Sequence, residues 1–255
     1  MKDFRKRPQR PKKNKLIAGV QAVVDALNEA QALDRIYLAD TASTANARMI
    51  RALALEKGVP VQVVPVIKLN HFNVGSHEGC VALKSKVVYQ SLQTVIDWVV
   101  GEGRAPLLLM LDGITDIRNI GGIARTAYCA GVDAIIIPDK GVGALQEDAI
   151  LTSAGALEKI AICRVDSLLK AVDTMHLNGI QVYATQMKGS KSIVETNFVI
   201  PCCIIMGSEE KGVYSALLKN ADQTIFIPMR GDFDSFNVSV STGIVLYEAM
   251  KQRLL

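Results

Sequence analysis

The chain has 255 residues, a formal net charge of +4 and 49% hydrophobic residues, with glycine and proline at ordinary levels. This is enough chain to bury a core in one or two domains, and the composition indicates a globular protein rather than a disordered one. The longest apolar runs, such as PLLLML and DAIIIP, have the length of a strand and fall far short of the ~20 residues that span a bilayer. We therefore predict a globular protein without a membrane helix.

The first fifteen residues, MKDFRKRPQRPKKNK, carry the positive excess of the chain. They contain eight basic residues and one acidic residue, which leaves residues 16–255 with a net charge of −3. No apolar segment follows them, so we do not expect a secretory signal peptide. A flexible basic tail favours polyanions such as RNA through counterion release, and the alternative is a solvated tail without a specific partner.

The five cysteines lie mostly inside apolar runs and show no CxxC spacing. This pattern favours reduced, buried thiols in a cytoplasmic protein over a disulfide framework or a zinc site. The three histidines, His71, His77 and His176, are predicted to have structural or surface roles, and we predict no metal site.

From Leu16 to about Lys86, helical and extended patterns alternate. GVQAVVDALNEAQ and ARMIRALALEKG predict helices, the second ended by Gly58, whereas RIYLA, VPVQVVP and CVALKS predict strands. Residues 16–86 are therefore predicted to form a small α/β domain. Residues 87–105, which contain a predicted helix and run through Gly103 and Arg104 up to Pro106, are predicted to link it to a second domain over residues 106–255.

The second domain is predicted to have a buried, mainly parallel sheet. Its apolar segments LLLMLD, DAIIIP, IAICRV, IQVYATQ, CCIIMG and QTIFIP have strand length, and helical segments separate most of them. Continuous apolar strands alternating with helices indicate a parallel sheet covered on both faces. Ligands of such sheets bind at the carboxyl ends of the strands, which directs attention to the residues there.

The first strand end of interest continues as LDGITDIRNIGGIARTAYC, with a helix predicted to begin near Asn119 and Arg125 about two turns further. Gly121 and Gly122 lie inside this helix, where each glycine costs roughly 1 kcal/mol relative to alanine. Their presence indicates the close approach of another backbone or of a ligand, or alternatively tight packing of the helix on the sheet.

Two further strand ends carry polar residues. In CCIIMGSEEKGV, the strand is followed by Gly207, Ser208, Glu209 and Glu210, and carboxylates here would complement the dipole of the next helix. In QTIFIPMRGDFDSFNVSV, Ser235 or Asn237 can cap the last helix. Capping accounts for one of these two residues and does not require both.

Taken together, the three segments resemble the SpoU (TrmH-like) family of RNA ribose 2′-O-methyltransferases. The family's first motif has an Asn and an Arg six residues apart, and its second has a Gly, an Asn or Ser, and a Glu after a strand. Its third, S-L-N-V-S-V, appears here as SFNVSV over residues 235–240. The resemblance extends from about Leu16 to the end of the chain, and the first domain is similar to the family's substrate-binding domain, whose H-Q-G appears as His77, Glu78 and Gly79.

The resemblance implies an α/β fold: a C-terminal α/β trefoil-knot (SPOUT) domain with a mainly parallel sheet, plus a small N-terminal α/β substrate-binding domain. It also implies S-adenosylmethionine as cofactor and a homodimer whose active site is completed across the interface. The catalytic residues that it implies are Arg125, Asn119, Glu209, Ser235 and Asn237. The cofactor-binding residues that it implies are Gly207, Ile227, Met229, Phe236 and Asn237.

Arg125 is the family's key catalytic position. A guanidinium is effectively always charged, so it is a poor general base. We therefore expect Arg125 to bind a substrate phosphate and to stabilise the developing alkoxide.

The sequence is most similar to members that modify a guanosine in 23S ribosomal RNA, and transfer RNA is the alternative substrate. Two other functions stay open: a nucleotide-binding protein that uses the weak G-x-G of DKGVGALQED, and a catalytically silent RNA-binding ribosome-assembly factor. Several positions depart from the family pattern, namely Glu78 for Gln, Ile117 and Arg118 for Pro and His, Glu210 for Gly, and Phe236 for Leu.

Overall fold

The computed structural model describes residues 16–139, 145, 147–231 and 235–254, with the side chains of 147 and 148 excepted. The basic tail over residues 1–15 and most of DKGVGALQED lie outside these residues. The chain divides into two compact units between Ser85 and Lys86. None of the helices in the described residues is long and apolar enough to cross a bilayer.

The first unit contains a mixed four-stranded sheet. Its elements are β1 (Leu16–Ala18), α1 (Val20–Asn28), β2 (Leu33–Ala39), α2 (Thr44–Glu56), β3 (Val61–Val64), α3 (Val66–Asn70) and β4 (Cys80–Lys84). The sheet order is β1-β4-β2-β3, with β2 and β3 parallel and β4 antiparallel to both of its neighbours. The apolar stripes of α1 and α2 pack on one face of the sheet around the buried side chains of Val23, Leu27, Ile36 and Ile50.

Glu78 has a local structural role in this unit. Its Oε2 accepts a hydrogen bond from the backbone N–H of Val20, 3.2 Å away, at the start of α1. A carboxylate is favourable at the positive end of a helix, which gives a physical reason for Glu where the family has Gln. The neighbouring His77 holds the same loop, because its Nδ1 accepts from the N–H of Gly79 at 3.0 Å and its Nε2 lies 2.8 Å from Oδ1 of Asn70.

The second unit contains an eight-stranded sheet. Its strands are β5 (Tyr89–Gln90), β6 (Leu107–Leu111), β7 (Ala134–Pro138), β8 (Ala161–Val165), β9 (Gln181–Thr185), β10 (Lys191–Ser192), β11 (Cys202–Met206) and β12 (Gln223–Phe226). Its helices are α4 (Leu92–Gly101), α5 (Ile117–Cys129), α6 (Glu147–Thr152), α7 (Leu168–Leu177), α8 (Ser215–Asn220) and α9 (Val238–Leu254). The order is β10-β12-β9-β11-β6-β7-β8-β5 with parallel pairing throughout, which confirms the predicted parallel sheet and its six apolar strands.

Residues 87–105, which we expected to act as a linker, belong to the second unit. β5 pairs with β8 at the edge of the large sheet. The side chains of Leu92, Val95, Ile96 and Val99 recur at helical spacing on α4 and are buried in the core. An apolar stripe of this kind stabilises a helix by burial, so the segment folds with the sheet.

The large sheet has a core on each face. Leu107, Leu109 and Leu111 of β6 pack with α5 and α9, whereas Leu108 and Met110 pack with α4 and α7. Because successive side chains of a strand point to opposite faces, a continuous apolar strand supplies both cores. Strand order does not define how the C-terminal loops are threaded, so the trefoil knot stays a prediction from the resemblance.

Candidate active site

The three polar segments meet through one carboxylate. Oε1 of Glu209, after β11, accepts hydrogen bonds from Nδ2 of Asn119 at 3.4 Å and from Nδ2 of Asn237 at 2.5 Å. The same oxygen accepts from the backbone N–H of Val238 at 3.2 Å, and Nδ2 of Asn237 also lies 3.3 Å from Oδ1 of Asn119. Asn119, Glu209 and Asn237, separated by up to 118 positions in the chain, therefore form a single network.

Parallel pairing explains why these segments come together. β6 and β11 are hydrogen-bonded neighbours, and β12 joins the same sheet through β9, so their carboxyl ends lie along one edge. After β6, Asp116 caps α5 by accepting from the N–H of Arg118 at 2.8 Å. The side chain of Arg118 returns to the same carboxylate at 3.0 Å, and these hydrogen bonds hold the pKa of Asp116 below its ordinary value. Arg118 thus supports the cap that begins α5.

Glu209 lies at a different helix end from the one expected. The next helix, α8, begins at Ser215, whereas Glu209 accepts from the first turn of α9. Its turn is held by Ser208, which accepts from the N–H groups of Gly212 at 2.8 Å and of Lys211 at 3.3 Å. A Cβ on Gly207 would lie 2.1 Å from backbone atoms of Gly212 and Val213, so only glycine fits at that position.

The polar residues at the start of α9 have separate roles. Oδ1 of Asn237 accepts from the N–H of Ser239 at 3.0 Å, so Asn237 caps the helix and joins the network with the same side chain. Thr242 is buried, and its hydroxyl donates to the carbonyl of Val238 at 2.7 Å. Ser235 is exposed and makes no hydrogen bond to the described part of the chain, so the network does not include it.

A cavity of about 570 Å³ lies at the carboxyl ends of β9, β11 and β12. Four of the five residues predicted to bind the cofactor line it, namely Gly207, Ile227, Met229 and Phe236, together with the predicted catalytic residues Glu209 and Ser235. Asn237 is not in the cavity wall and touches it through Glu209.

The cavity also has a wall that our motif search missed. Thr185, the last residue of β9, lines the cavity together with Gln186 and Lys188, which follow the strand. The signal was present in the sequence, since IQVYATQ is a predicted strand with polar residues at its carboxyl end. Our search was confined to three strand ends with unusual residues, and β9 was a fourth end at the same edge.

The lining of the cavity fits a cofactor that joins a nucleoside to a charged amino acid. Met206, Ile225, Ile227 and Phe236 offer apolar surface of the kind that holds a purine, whereas Lys188, Lys211 and Glu210 bring charges of both signs. Sites for small ligands in proteins typically measure about 300–1,000 Å³ and combine apolar walls with a few polar groups. Among the described residues no cluster of His, Cys, Asp or Glu is arranged to hold a metal ion.

Arg125 lies outside both the network and the cavity wall. Its side chain is exposed on α5 and makes no hydrogen bond or ion pair to the described part of the chain. Gly121 allows close packing, because a Cβ there would lie 2.6 Å from Cβ of Thr152, whereas a Cβ on Gly122 would make an ordinary contact at 3.7 Å from Cβ of Ser239. α5 therefore packs tightly against neighbouring segments and leaves Arg125 facing outward.

Two family models match this chain. The model described as the SpoU rRNA Methylase family matches residues 106–247, and the model described as RNA 2'-O ribose methyltransferase substrate binding matches residues 16–89. The chain belongs to the SpoU methylase family. The residues that carried the resemblance, Asn119, Glu209 and Asn237, lie within the SpoU methylase match and form the network described above.

Known proteins resemble the chain over most of its length. A Bacillus subtilis protein named putative TrmH family tRNA/rRNA methyltransferase YacO is 30% identical over 93% of this chain and 95% of its own. The 23S rRNA (guanosine-2'-O-)-methyltransferase RlmB of Xylella fastidiosa is 31% identical over 96% of this chain and 99% of its own. The SpoU methyltransferase AviRb of Streptomyces viridochromogenes, solved with AdoMet, shares the fold with a TM-score of 0.60 and 20% identity over 94% of this chain and 90% of its own.

Proposed function

We propose that this chain is an S-adenosylmethionine-dependent RNA methyltransferase that methylates the ribose 2′-hydroxyl of a guanosine in 23S ribosomal RNA. The observation that carries the proposal is the network in which Glu209, a residue of the cavity wall, holds Asn119 and Asn237 in a chain of the SpoU methylase family. Side chains fixed in this way can position a nucleophile, and positioning supplies a large part of the barrier reduction in transfer reactions.

The residues of the site have distinct roles in this reaction. S-adenosylmethionine, when bound, supplies an electrophilic methyl group. The apolar side chains of Ile227 and Phe236 exclude water from the cavity, and Glu209 fixes the start of α9. Arg125 binds the phosphate beside the target ribose and stabilises the developing alkoxide, while the hydroxyl proton passes to an oxygen of that phosphate.

The relatives support the choice of RNA. Proteins named 23S rRNA (guanosine-2'-O-)-methyltransferase RlmB in Pseudomonas putida and Xylella fastidiosa are each 31% identical to this chain over more than nine-tenths of both proteins. The substrate-binding match over residues 16–89 supports an RNA-binding role for the first unit. Relatives named for both tRNA and rRNA make a transfer RNA the competing outcome of the test.

We also propose that the active protein is a homodimer in which Arg125 of one chain serves the cavity of the other. Arg125 is exposed and absent from the wall of its own cavity. A groove of apolar residues on the outer face of α9 includes Val240 and Tyr247, which are 50% and 62% exposed, beside Ile227, Pro228 and Ile244. Burial of such a groove against a second copy would remove this surface from water and bring a second Arg125 into the assembly.

The role of Arg125 is tested by transfer of labelled methyl groups to RNA. Arg125→Ala should abolish transfer and leave S-adenosylmethionine affinity within about twofold, because the side chain touches substrate and not the cavity wall. Arg118→Ala removes a cation from the same helix and should retain most of kcat, which makes it the matched control. Transfer by Arg125→Ala close to the wild-type rate would overturn the assignment.

Deletion of the gene, followed by mapping of ribose methylations, identifies the substrate. One lost guanosine methylation in 23S ribosomal RNA supports the proposal in full. A lost site in a transfer RNA corrects the substrate and keeps the reaction. No lost site in any RNA, together with no transfer by the purified protein, would indicate a catalytically silent RNA-binding factor.

A further inference from the structure

The outward face of α5 is cationic and carries an exposed aromatic ring. The helix has two arginines and no acidic residue between Ile117 and Cys129. Arg125 and Tyr128 are three positions apart, so their side chains are neighbours on the helix surface. Tyr128 is 46% exposed, although the helix buries its other face in the core through Ile120, Ile123, Ala124 and Ala127.

A cation from another segment lies over this ring. Nζ of Lys159, which follows the short 3₁₀ turn Ala156–Glu158, lies 5.7 Å from the centroid of the Tyr128 ring. Lys159 is itself exposed. Glu158 is adjacent to Lys159 in the chain, and Asp116, at the start of α5, pairs with Arg118. The surface thus combines an aromatic face with Lys159 and with Arg125, which makes no ion pair to the described residues.

Tyr128 differs from the buried Tyr183 in exposure and in hydrogen bonding. Tyr183 is 4% exposed, meets Phe198 edge-on at 5.5 Å and donates its hydroxyl to the carbonyl of Asn197 at 2.9 Å. The hydroxyl of Tyr128 makes no hydrogen bond to the described part of the chain, and nearly half of the side chain faces solvent. The exposed part of the ring is therefore accessible to a binding partner.

We propose that Tyr128 and Lys159 form a subsite for an unpaired nucleotide of the substrate RNA, adjacent to the nucleotide whose phosphate Arg125 binds. The base stacks on the ring of Tyr128, and the ammonium of Lys159 binds that nucleotide's phosphate. Proteins that read single-stranded RNA stack bases on aromatic side chains and hold the backbone with cations. The subsite rests on the proposed function, and it selects substrates with an unstacked base next to the target ribose.

The test compares Tyr128→Ala, Tyr128→Phe and Lys159→Ala with a matched control. Trp98 is 59% exposed with Arg104 over its ring at 5.2 Å, and it lies on α4, which packs on the opposite face of the sheet. Trp98→Ala therefore removes an equivalent aromatic and cation pair away from the proposed path of the RNA. The substrate is 23S rRNA transcribed in vitro, or unfractionated tRNA if wild-type protein methylates only that.

Tyr128→Ala should raise KM for RNA about tenfold, with kcat and S-adenosylmethionine affinity within about twofold, because stacking affects RNA binding alone. Tyr128→Phe keeps the ring face and should restore KM. Lys159→Ala should reduce the salt dependence of RNA affinity by about one phosphate contact. Trp98→Ala should leave KM, kcat, S-adenosylmethionine affinity and the salt dependence of RNA affinity unchanged.

The subsite is refuted if Tyr128→Ala and Trp98→Ala give the same KM while wild-type protein methylates RNA, an outcome that leaves the proposed function intact. If wild-type protein methylates no RNA, the proposed function fails. The subsite is then tested by measuring the affinities of the variants for the 23S transcript in gel-shift experiments. Weaker binding of Tyr128→Ala than of Tyr128→Phe then supports it, and equal binding refutes it.

Discussion

Glu209 is the residue on which the three motif segments depend. Its Oε1 accepts from Asn119, Asn237 and the N–H of Val238. Glu209→Ala leaves these donors without that acceptor and removes a negative charge from the start of α9. We expect the free energy of unfolding to fall by about 1–2 kcal/mol and methyl transfer to be lost, as measured by urea denaturation and labelled methyl incorporation.

Glu210 provides the control for this change. It is the adjacent carboxylate in the same turn and makes no hydrogen bond to the described residues, so Glu210→Ala should leave the free energy of unfolding unchanged within about 0.5 kcal/mol. Equal stability losses in the two variants would mean that the charge of the turn matters and the network does not.

At the scale of elements, the C-terminal turn of α9 is tied to the starts of two strands. The guanidinium of Arg253 donates to the carbonyls of Phe198 at 2.7 Å, Ala105 at 2.6 Å, Pro106 at 3.1 Å and Ile200 at 2.9 Å. Because one rigid fork serves the segments that lead into β6 and β11, Arg253→Ala should lower the free energy of unfolding by about 2–3 kcal/mol in chemical denaturation.

The same turn offers a control for Arg253. Lys251 pairs with Glu248 at 3.1 Å, and the pair is partly exposed. Since such pairs contribute about 0–0.5 kcal/mol, Lys251→Ala should leave the denaturation midpoint almost unchanged. If Arg253→Ala unfolds at the same denaturant concentration as Lys251→Ala, the carbonyl contacts do not stabilise the unit.

The strands of the large sheet were predictable because a strand that is buried on both faces has a continuous apolar sequence, as in the LLLML of β6. Polar side chains at strand ends and the motif resemblance predicted Asn119, Glu209 and Asn237, which the structure brings together, and their catalytic roles stay predictions. The packing of α4 in the second unit was not predicted. The sequence GEGRAP at the end of this helix indicates a domain boundary, although the apolar stripe of the helix is buried in the core. The pairing of Glu209 with α9, and not with the next helix, depends on strand order, which local patterns do not encode.

At the scale of the whole molecule, the burial of the cysteines predicts which thiols react with an alkylating reagent. Burial raises the pKa of the Cys80 and Cys163 thiols to about 12, and it raises those of Cys202 and Cys203 as well. Near pH 8 these four thiols therefore stay protonated in the folded protein. They are also buried, whereas Cys129 is exposed to solvent. Iodoacetamide should modify Cys129 in the native protein and all five cysteines after denaturation, as read by mass spectrometry.

The buried thiols also determine whether the free energy of unfolding rises or falls with pH. Their folded pKa values lie above the ordinary thiol value of 9.0, so the unfolded chain loses these protons first. Stability should therefore fall as the pH rises from about 9 towards 12. Modification of Cys163 in native protein at pH 8 would show that the core of the second unit opens more readily than its burial indicates.

The largest assembly at issue is the proposed dimer, and a mixing experiment separates its two possible arrangements. Gly207→Ala should abolish cofactor binding, because its Cβ would meet the backbone of Gly212 and Val213, but it keeps Arg125. Arg125→Ala keeps the cavity. If Arg125 acts across the interface, a dimer of these two inactive chains has one complete site. If it acts within its own chain, the mixed dimer has none.

Co-expression of the two chains in equal amounts should therefore restore about a quarter of the wild-type methyl transfer, since half of the dimers are mixed and each has one working site of two. Size-exclusion chromatography of each variant alone controls for loss of the dimer, and a chain that carries both substitutions, co-expressed with Gly207→Ala, controls for adventitious activity. If the mixed dimers stay inactive, Arg125 acts on the cavity of its own chain. The exposed position of Arg125, outside the wall that its own chain builds, leads us to expect the opposite result.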